Sequence, residues 1–154
     1  MTDIADRTLS LTRLIQASPE ACFRCWSEPE LIKQWFAPKP WTTPRIESEF
    51  RAGGATNTVM ADETGTEYPN PGQYLEIIPN RKIVFTDAFV GDWVPAEKAF
   101  LVATITFEDE GGKCRYTATV RHWSKDDKDA HEKMGFHEGW GLCTTQLEEL
   151  AKTL

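Results

Sequence analysis

Cationic surplus is missing from this sequence. Seventeen Lys and Arg stand against 24 Asp and Glu, a formal charge of −7. Nucleic acid and anionic membrane both draw on a basic surface, so neither is expected as a partner. Long apolar runs are missing too. None approaches the roughly 18 residues of a membrane span, and the N-terminal MTDIADRTLS has no apolar signal core. A soluble, cytoplasmic protein is the expectation. Cysteine is sparse: Cys22, Cys25, Cys114 and Cys143 make no disulfide framework in such a compartment. The one CxxC, CFRC, lacks the second pair or the spaced histidines that zinc requires. These residues read as buried core thiols, with a redox pair near a helix N-terminus as the alternative. HEKMGFHE falls short of the zinc motif HExxH, because position 135 is glycine where the second histidine would stand. His131 and His137, six apart, fall on different helix faces. Neither metal nor cofactor is expected. No GxSxG elbow, phosphate-binding glycine loop or dinucleotide fingerprint occurs. Without repeat or linker, residues 1–154 read as one domain.

Bulk is what the sequence has instead. It is 40% hydrophobic and 11% aromatic, with six tryptophans, which suits a large, bulky-lined interior. TLSLTRLIQ, Thr8 to Gln16, alternates as a strand does. SPEACFRCW opens on Ser18 as N-cap and Pro19 at the first helical position. A second short helix starts near Pro29, and APKPW ends it. TTPRIESEFR, GATNTVMA, GQYLEIIP, KIVFTDAF, FLVATITFED and CRYTATVRHW then read as strands, separated by turn residues. Two connections are long, Asp62 to Gly72 and Val90 to Ala99. From about Asp126 the chain is helical. Strands in succession with helices at the ends imply an α+β layer: an antiparallel meander of about six to seven strands covered on one face.

MGFHEGWGL, Met134 to Leu142, puts Gly135, Gly139 and Gly141 ahead of a clearly helical stretch. Phe136, Trp140, Cys143, Leu147, Leu150 and Leu154 recur at spacings of 4, 3, 4, 3 and 4. That stripe begins before two of the glycines, so one helix is expected to run through all three. Gly135 and Gly139, four apart, would share a face and either let the helix backbone approach a neighbour closely or leave open space beneath it. Trp140 beside them is large enough to plug a sheet interior.

WSEPELIKQWFAPKPW, Trp26 to Trp41, resembles the W-T-x-P-E-x-x-x-x-W signature of the activator of heat-shock-protein-90 ATPase homologue family, C-terminal-domain type. YPNPGQYLEIIPNRKIVFTDAF, Tyr68 to Phe89, resembles that family's G-x-Y-x-E-I-x-P-x-x-R-L-V-F-T segment. HEGWGLCTTQLEEL, His137 to Leu150, resembles its closing helix. The three blocks keep the family's order over nearly the whole chain. The resemblance implies a helix-grip fold of the START and birch-pollen-allergen (SRPBCC) kind, with a long C-terminal helix over a curved antiparallel sheet and often a cavity. Relatives bind lipids, hormones or polyketides, and some catalyse cyclisation or hydrolysis. The Gly139-Trp140 pair is habitual there, whereas Gly135 and Gly141 are this sequence's own. No room for a separate chaperone-binding domain is expected ahead of Thr8.

Residue by residue, a ligand cavity is expected from Trp26, Trp35, Phe85, Tyr116, His122, Phe136, Gly139 and Trp140, with Trp93 on the Val90–Ala99 connection as a lid. His122 shares a strand face with Tyr116, Ala118 and Val120 and is expected to point at that cavity. His137 is expected at the margin of the buried stripe and His131 in solvent. Asp87 alternates with Phe85 and Phe89, and Glu76 with Tyr74 and Ile78. Either carboxylate, if inward, could pair with His122 as acid and base. The leading expectation is a domain that binds a small hydrophobic, ring-containing molecule without assigned catalysis. The alternatives are an enzyme of cyclase or hydrolase type working through His122, and a chaperone-cofactor-like interaction module. A homodimer is left open.

Overall fold

In the computed structural model, which describes residues 3–154, the first alternating stretch is strand β1, Thr8–Ile15. Helix α1, Pro19–Ser27, follows with Ser18 as its cap, the Ala21 N–H donating to the serine Oγ at 3.1 Å. Glu28 ends it with φ −100° and ψ 116°, the extended conformation that the following proline imposes. Pro29 then opens the one-turn helix α2, Pro29–Ile32. Strands β2 (Thr42–Ser48), β3 (Ala55–Ala61), β4 (Glu67–Tyr68), β5 (Pro71–Ile78), β6 (Lys82–Thr86), β7 (Leu101–Glu110) and β8 (Lys113–His122) come next. The chain closes with α3, Lys125–Lys133, and α4, Phe136–Ala151.

The eight strands form one antiparallel sheet in the order β1-β8-β7-β6-β5-β3-β2, with β4 beside β3. It is an α+β helix-grip fold, a curled half-barrel holding the long last helix. From β5 to β8 it is the expected meander. β7 and β8 turn on Gly111 and Gly112, both at positive φ, the conformation a two-residue hairpin turn of right-handed twist demands. Cys114, Tyr116, Ala118, Val120 and His122 are the buried face of β8. Ala103, Ile105 and Phe107 continue that face on β7. Against it α1 packs Cys22, Phe23, Cys25 and Trp26, and α4 packs Leu147 and Ala151. Phe23 meets Phe107 edge to face at 5.6 Å. A second, smaller cluster joins Leu9, Ala103 and Val120 to Phe136 at the other end of α4. Each buried Leu or Phe removes enough apolar area from water to contribute about 1.5–3 kcal/mol.

Two local departures from the alternation matter for the site. Tyr74 pairs with Phe85 and Glu76 with Val84, so Leu75 is an extra residue in β5. This bulge reverses the faces beyond it: Tyr74 stays buried while Glu76 turns outward. The last helix is also not continuous through all three glycines. Gly135 lies at φ 100° and ψ 36°, so α3 and α4 meet at a corner, and only Gly139 and Gly141 are inside a helix. The left-handed conformation is inexpensive for glycine and disfavoured for every residue with a Cβ.

The corner glycine Gly135 and the helix glycine Gly139 should therefore respond to alanine with opposite signs. Gly135→Ala is expected to destabilise by about 1–2 kcal/mol through its positive φ. A Cβ at Gly139 meets nothing within 4 Å, so Gly139→Ala is expected to stabilise by about 0.5–1 kcal/mol. Urea denaturation of the two variants checks both; equal effects would mean that the corner is not where it is described.

Candidate functional site

A cavity of about 600 Å³ lies between the curled sheet and the last helix. Its floor is Tyr74 of β5, Phe85 and Thr86 of β6, Leu101 of β7 and Tyr116 of β8. One end is closed by Trp26 of α1 with Ile32, Trp35 and Phe36. The roof is Gly139, Trp140, Cys143 and Thr144 of α4, and His131 and Met134 stand where α3 turns into α4. Thr56, Thr58 and Met60 of β3, with Asn70, border it on the side away from β8.

Aromatic rings give this space its shape. Trp26 lies 4.9 Å from Trp35 and 5.6 Å from Phe85, centroid to centroid. The Trp35 indole donates to the Cys25 carbonyl at 2.8 Å, and the Trp26 indole donates to the Tyr116 hydroxyl at 3.1 Å. Both bonds satisfy the indole N–H groups and add to the packing that orients these buried rings. Burial pushes the Tyr116 phenol well above its ordinary pKa, so its proton stays on. The segment after α2 is tied to α4 by one side chain. The Gln146 amide donates to the carbonyls of Trp35 and Ala37 at 2.9 and 2.8 Å, and accepts from the Lys39 N–H at 3.0 Å. Cys143 donates to the Phe36 carbonyl at 3.1 Å, and burial pushes its thiol up to about 12.

Of the residues expected at a cavity from the sequence, Trp26, Trp35, Phe85, Tyr116, Gly139 and Trp140 are brought together around it. His122, Phe136 and Trp93 are not among its lining residues. His122 is 1% exposed and sits behind His131, because β8 carries it past the cavity's edge. Phe136 is buried in the small cluster against Leu9 and Val120. Trp93 is 56% exposed. The Val90–Ala99 connection docks on the turn at Gly53 instead: the Asp92 N–H donates to the Gly53 carbonyl at 2.8 Å and the Trp93 N–H to the Gln73 side chain at 2.8 Å. That connection reaches the cavity through Ala96 and Lys98, not through its tryptophan.

Neither candidate carboxylate meets His122. Asp87 does line the cavity, but its Oδ1 accepts from the backbone N–H groups of Phe100 and Leu101 at 2.9 and 3.1 Å. Glu76, turned outward by the bulge, pairs with Lys82 at 2.7 Å. Among the described residues the His–carboxylate contact, His137 with Glu132 at 2.9 Å, is on the surface. His131 is the correction in the other direction. Expected in solvent, it is half-buried and lines the cavity, because the corner at Gly135 swings α3 back over β8. Burial, and secondarily the neighbouring His122, push its imidazole down to about 4. Sequence periodicity missed it because the stripe belongs to α4, and α3 runs on its own axis. Cys22 and Cys25 are wholly buried; burial pushes Cys25 up to about 12, which leaves no thiolate for redox exchange at neutral pH. Among the described residues no three His, Cys, Asp or Glu side chains cluster so as to hold a metal ion. No helix among them is long and apolar enough to cross a membrane.

Comparison with known proteins gives this architecture its place. The family profile described as activator of Hsp90 ATPase homolog 1-like protein matches residues 16–152. The chain belongs to this family. No curated protein matches it. Solved structures do. A Nitrosomonas europaea protein is 39% identical, superposes with a TM-score of 0.94, and the match covers 99% of this chain and 97% of that one. A protein from Arthrobacter aurescens, 20% identical, has a TM-score of 0.83 over 100% and 91% of the two chains. An AHSA1-like protein from Aeromonas hydrophila, 17% identical, has a TM-score of 0.73 over 95% and 92%. The last two speak for the helix-grip fold alone.

The half-buried His131 makes a checkable statement about this AHSA1-like site. Its folded pKa lies below the usual 6.5, so between about pH 6.5 and 4 the unfolded chain binds the extra proton. Its contribution therefore works against folding progressively as pH falls through that window, and stability rises with pH across it. An NMR titration should find the His131 midpoint near 4. A midpoint near 6.5 would place the ring in solvent.

Proposed function

We propose that the cavity binds a small hydrophobic, ring-containing molecule. The observation that carries this reading is the cavity itself, about 600 Å³ between Trp26, Trp35, Phe85, Tyr116 and Trp140. Folded interiors pack to crystal density and leave few voids larger than a water molecule. A space of this size within an otherwise tightly packed domain falls in the roughly 300–1,000 Å³ range of small-molecule sites. Flat aromatic walls favour a ring-containing occupant, through offset stacking and edge contacts. A few polar atoms, Tyr116 Oη, His131 and Thr144 among them, supply orientation. The fold family supports the same reading, since relatives of this architecture take apolar ligands. Acid–base catalysis through His122 and a carboxylate has no matching geometry, because Asp87 is committed to backbone and Glu76 to Lys82.

The neutral aromatic probe N-phenyl-1-naphthylamine should bind with a dissociation constant in the micromolar range, about −8 kcal/mol, and gain fluorescence on entering. Gly139→Leu projects a side chain into open space beneath α4 and is expected to weaken the probe about tenfold while the far-ultraviolet circular dichroism is unchanged. Native mass spectrometry of the protein as purified gives an independent readout of a carried molecule. Absence of probe binding by the folded wild type sinks the reading.

A further inference from the structure

A buried polar cluster at the α3–α4 end of the cavity has a directionality of its own. His122, the last residue of β8, and His131 of α3 meet with Nε2 and Nδ1 2.8 Å apart. On its far side His122 Nδ1 lies 3.0 Å from the backbone oxygen of Arg7. A carbonyl oxygen only accepts, so His122 carries a proton on Nδ1. In a neutral imidazole the other nitrogen is then a lone pair. That lone pair, at hydrogen-bond distance from His131 Nδ1, fixes a proton there: His131 Nδ1–H donates to His122 Nε2. The remaining nitrogen, His131 Nε2, is therefore bare.

The surroundings hold this arrangement. Phe100, Phe136 and Trp140 stand around the His131 ring at 5.3, 5.1 and 6.4 Å between centroids, which fixes its orientation. No carboxylate bonds to either ring among the described residues. The charged groups nearby are engaged elsewhere. Arg7 donates to the His122 backbone oxygen at 2.7 Å. On α3, Lys128 pairs with Glu132 at 3.2 Å. From α4, His137 donates to that same Glu132. A cationic His131 in this apolar corner would lack a counter-charge, and burial favours its neutral ring. His131 lines the cavity, and its Nε2 has no hydrogen-bond partner among the described residues.

We propose that His131 Nε2 is a hydrogen-bond-acceptor subsite of the cavity, selecting ring-containing ligands that carry a hydroxyl donor, with His122 and the Arg7 carbonyl as the groups that set its tautomer. Tyr116 complements it across the cavity: its oxygen takes the Trp26 indole proton, and its own O–H has no acceptor among the described residues. The subsite presupposes the ligand-binding reading of the cavity.

Two measurements test it. Nitrogen-15 NMR of the unaltered protein at neutral pH should show both His122 and His131 protonated on Nδ1 and bare on Nε2. A protonated Nε2 on His131 overturns the proposal. Calorimetry with 2-naphthol and its methyl ether, 2-methoxynaphthalene, reads the selectivity. The wild type should prefer the naphthol about tenfold, the worth of one good hydrogen bond. His131→Phe should abolish that preference, so that the two probes bind alike. Equal affinity of the two probes for the wild type, or a preference that survives in His131→Phe, overturns the subsite and leaves the cavity reading standing. Failure of both naphthalenes and of N-phenyl-1-naphthylamine to bind overturns both. The tautomer measurement needs no variant, so it decides even where His131→Phe folds poorly.

Discussion

Apolar packing anchors helix α4 at its two ends, and much of the rest of the molecule follows from that. At one end Leu147 and Ala151 are packed into the main core with α1. At the other Phe136 is packed against Leu9, Ala103 and Val120. Between these anchors Gly139, Trp140 and Cys143 line the cavity, while Arg13 of β1 donates to the Gly141 carbonyl at 3.2 Å and to the Thr145 hydroxyl at 2.7 Å. A helix is stiff, so two buried anchors on a concave sheet hold its middle clear of the strands beneath. Closing the gap would require either a kink in α4 or a flatter sheet, and the accumulated twist of eight antiparallel strands opposes the second.

The same constraint decides where polar groups are placed. With the helix standing off, the segment after α2 has to be secured from the side, and Gln146 does so through three hydrogen bonds to Trp35, Ala37 and Lys39. The ring hydrogen bonds of Trp26 and Trp35 keep the aromatic end wall upright beside an empty volume. Asp87 ties the end of the long connection to the start of β7. Each of these groups satisfies a polar atom that a filled core would have excluded. The corner at Gly135 adds the last wall, since it turns α3 over β8 and brings His131 to His122. Trp93, by contrast, is spent on the outside of the sheet, where its connection docks on Gly53.

The helix-grip architecture was legible from local patterns. Alternation marked β1 and β8, turn residues set off the strands between them, Ser18-Pro19 marked the start of α1, and the stripe Phe136 to Leu150 marked α4. The aromatic lining was legible in part: Trp26, Trp35, Phe85, Tyr116, Gly139 and Trp140 surround the cavity, while His122 and Phe136 lie buried beyond its edge. The bulge at Leu75 was invisible because neighbouring apolar residues (Tyr74-Leu75, Ile77-Ile78) fit either face, and the register with β6 alone reveals the extra residue. Gly135 misled for a related reason. A glycine within a helical stripe satisfies the periodicity whether it continues the helix or ends it in the left-handed region.

The sequence by itself determined the fold class, the strand order's meander and the acidic, cofactor-motif-free character of the chain, because these rest on neighbours a few residues apart. Tertiary structure alone decided which histidine reaches the cavity, which carboxylates are occupied, and where the long connection docks. Those outcomes depend on a one-residue bulge and one left-handed turn. A small local change there rotates or swings everything beyond it, and pairing across the fold, not periodicity along the chain, selects the result.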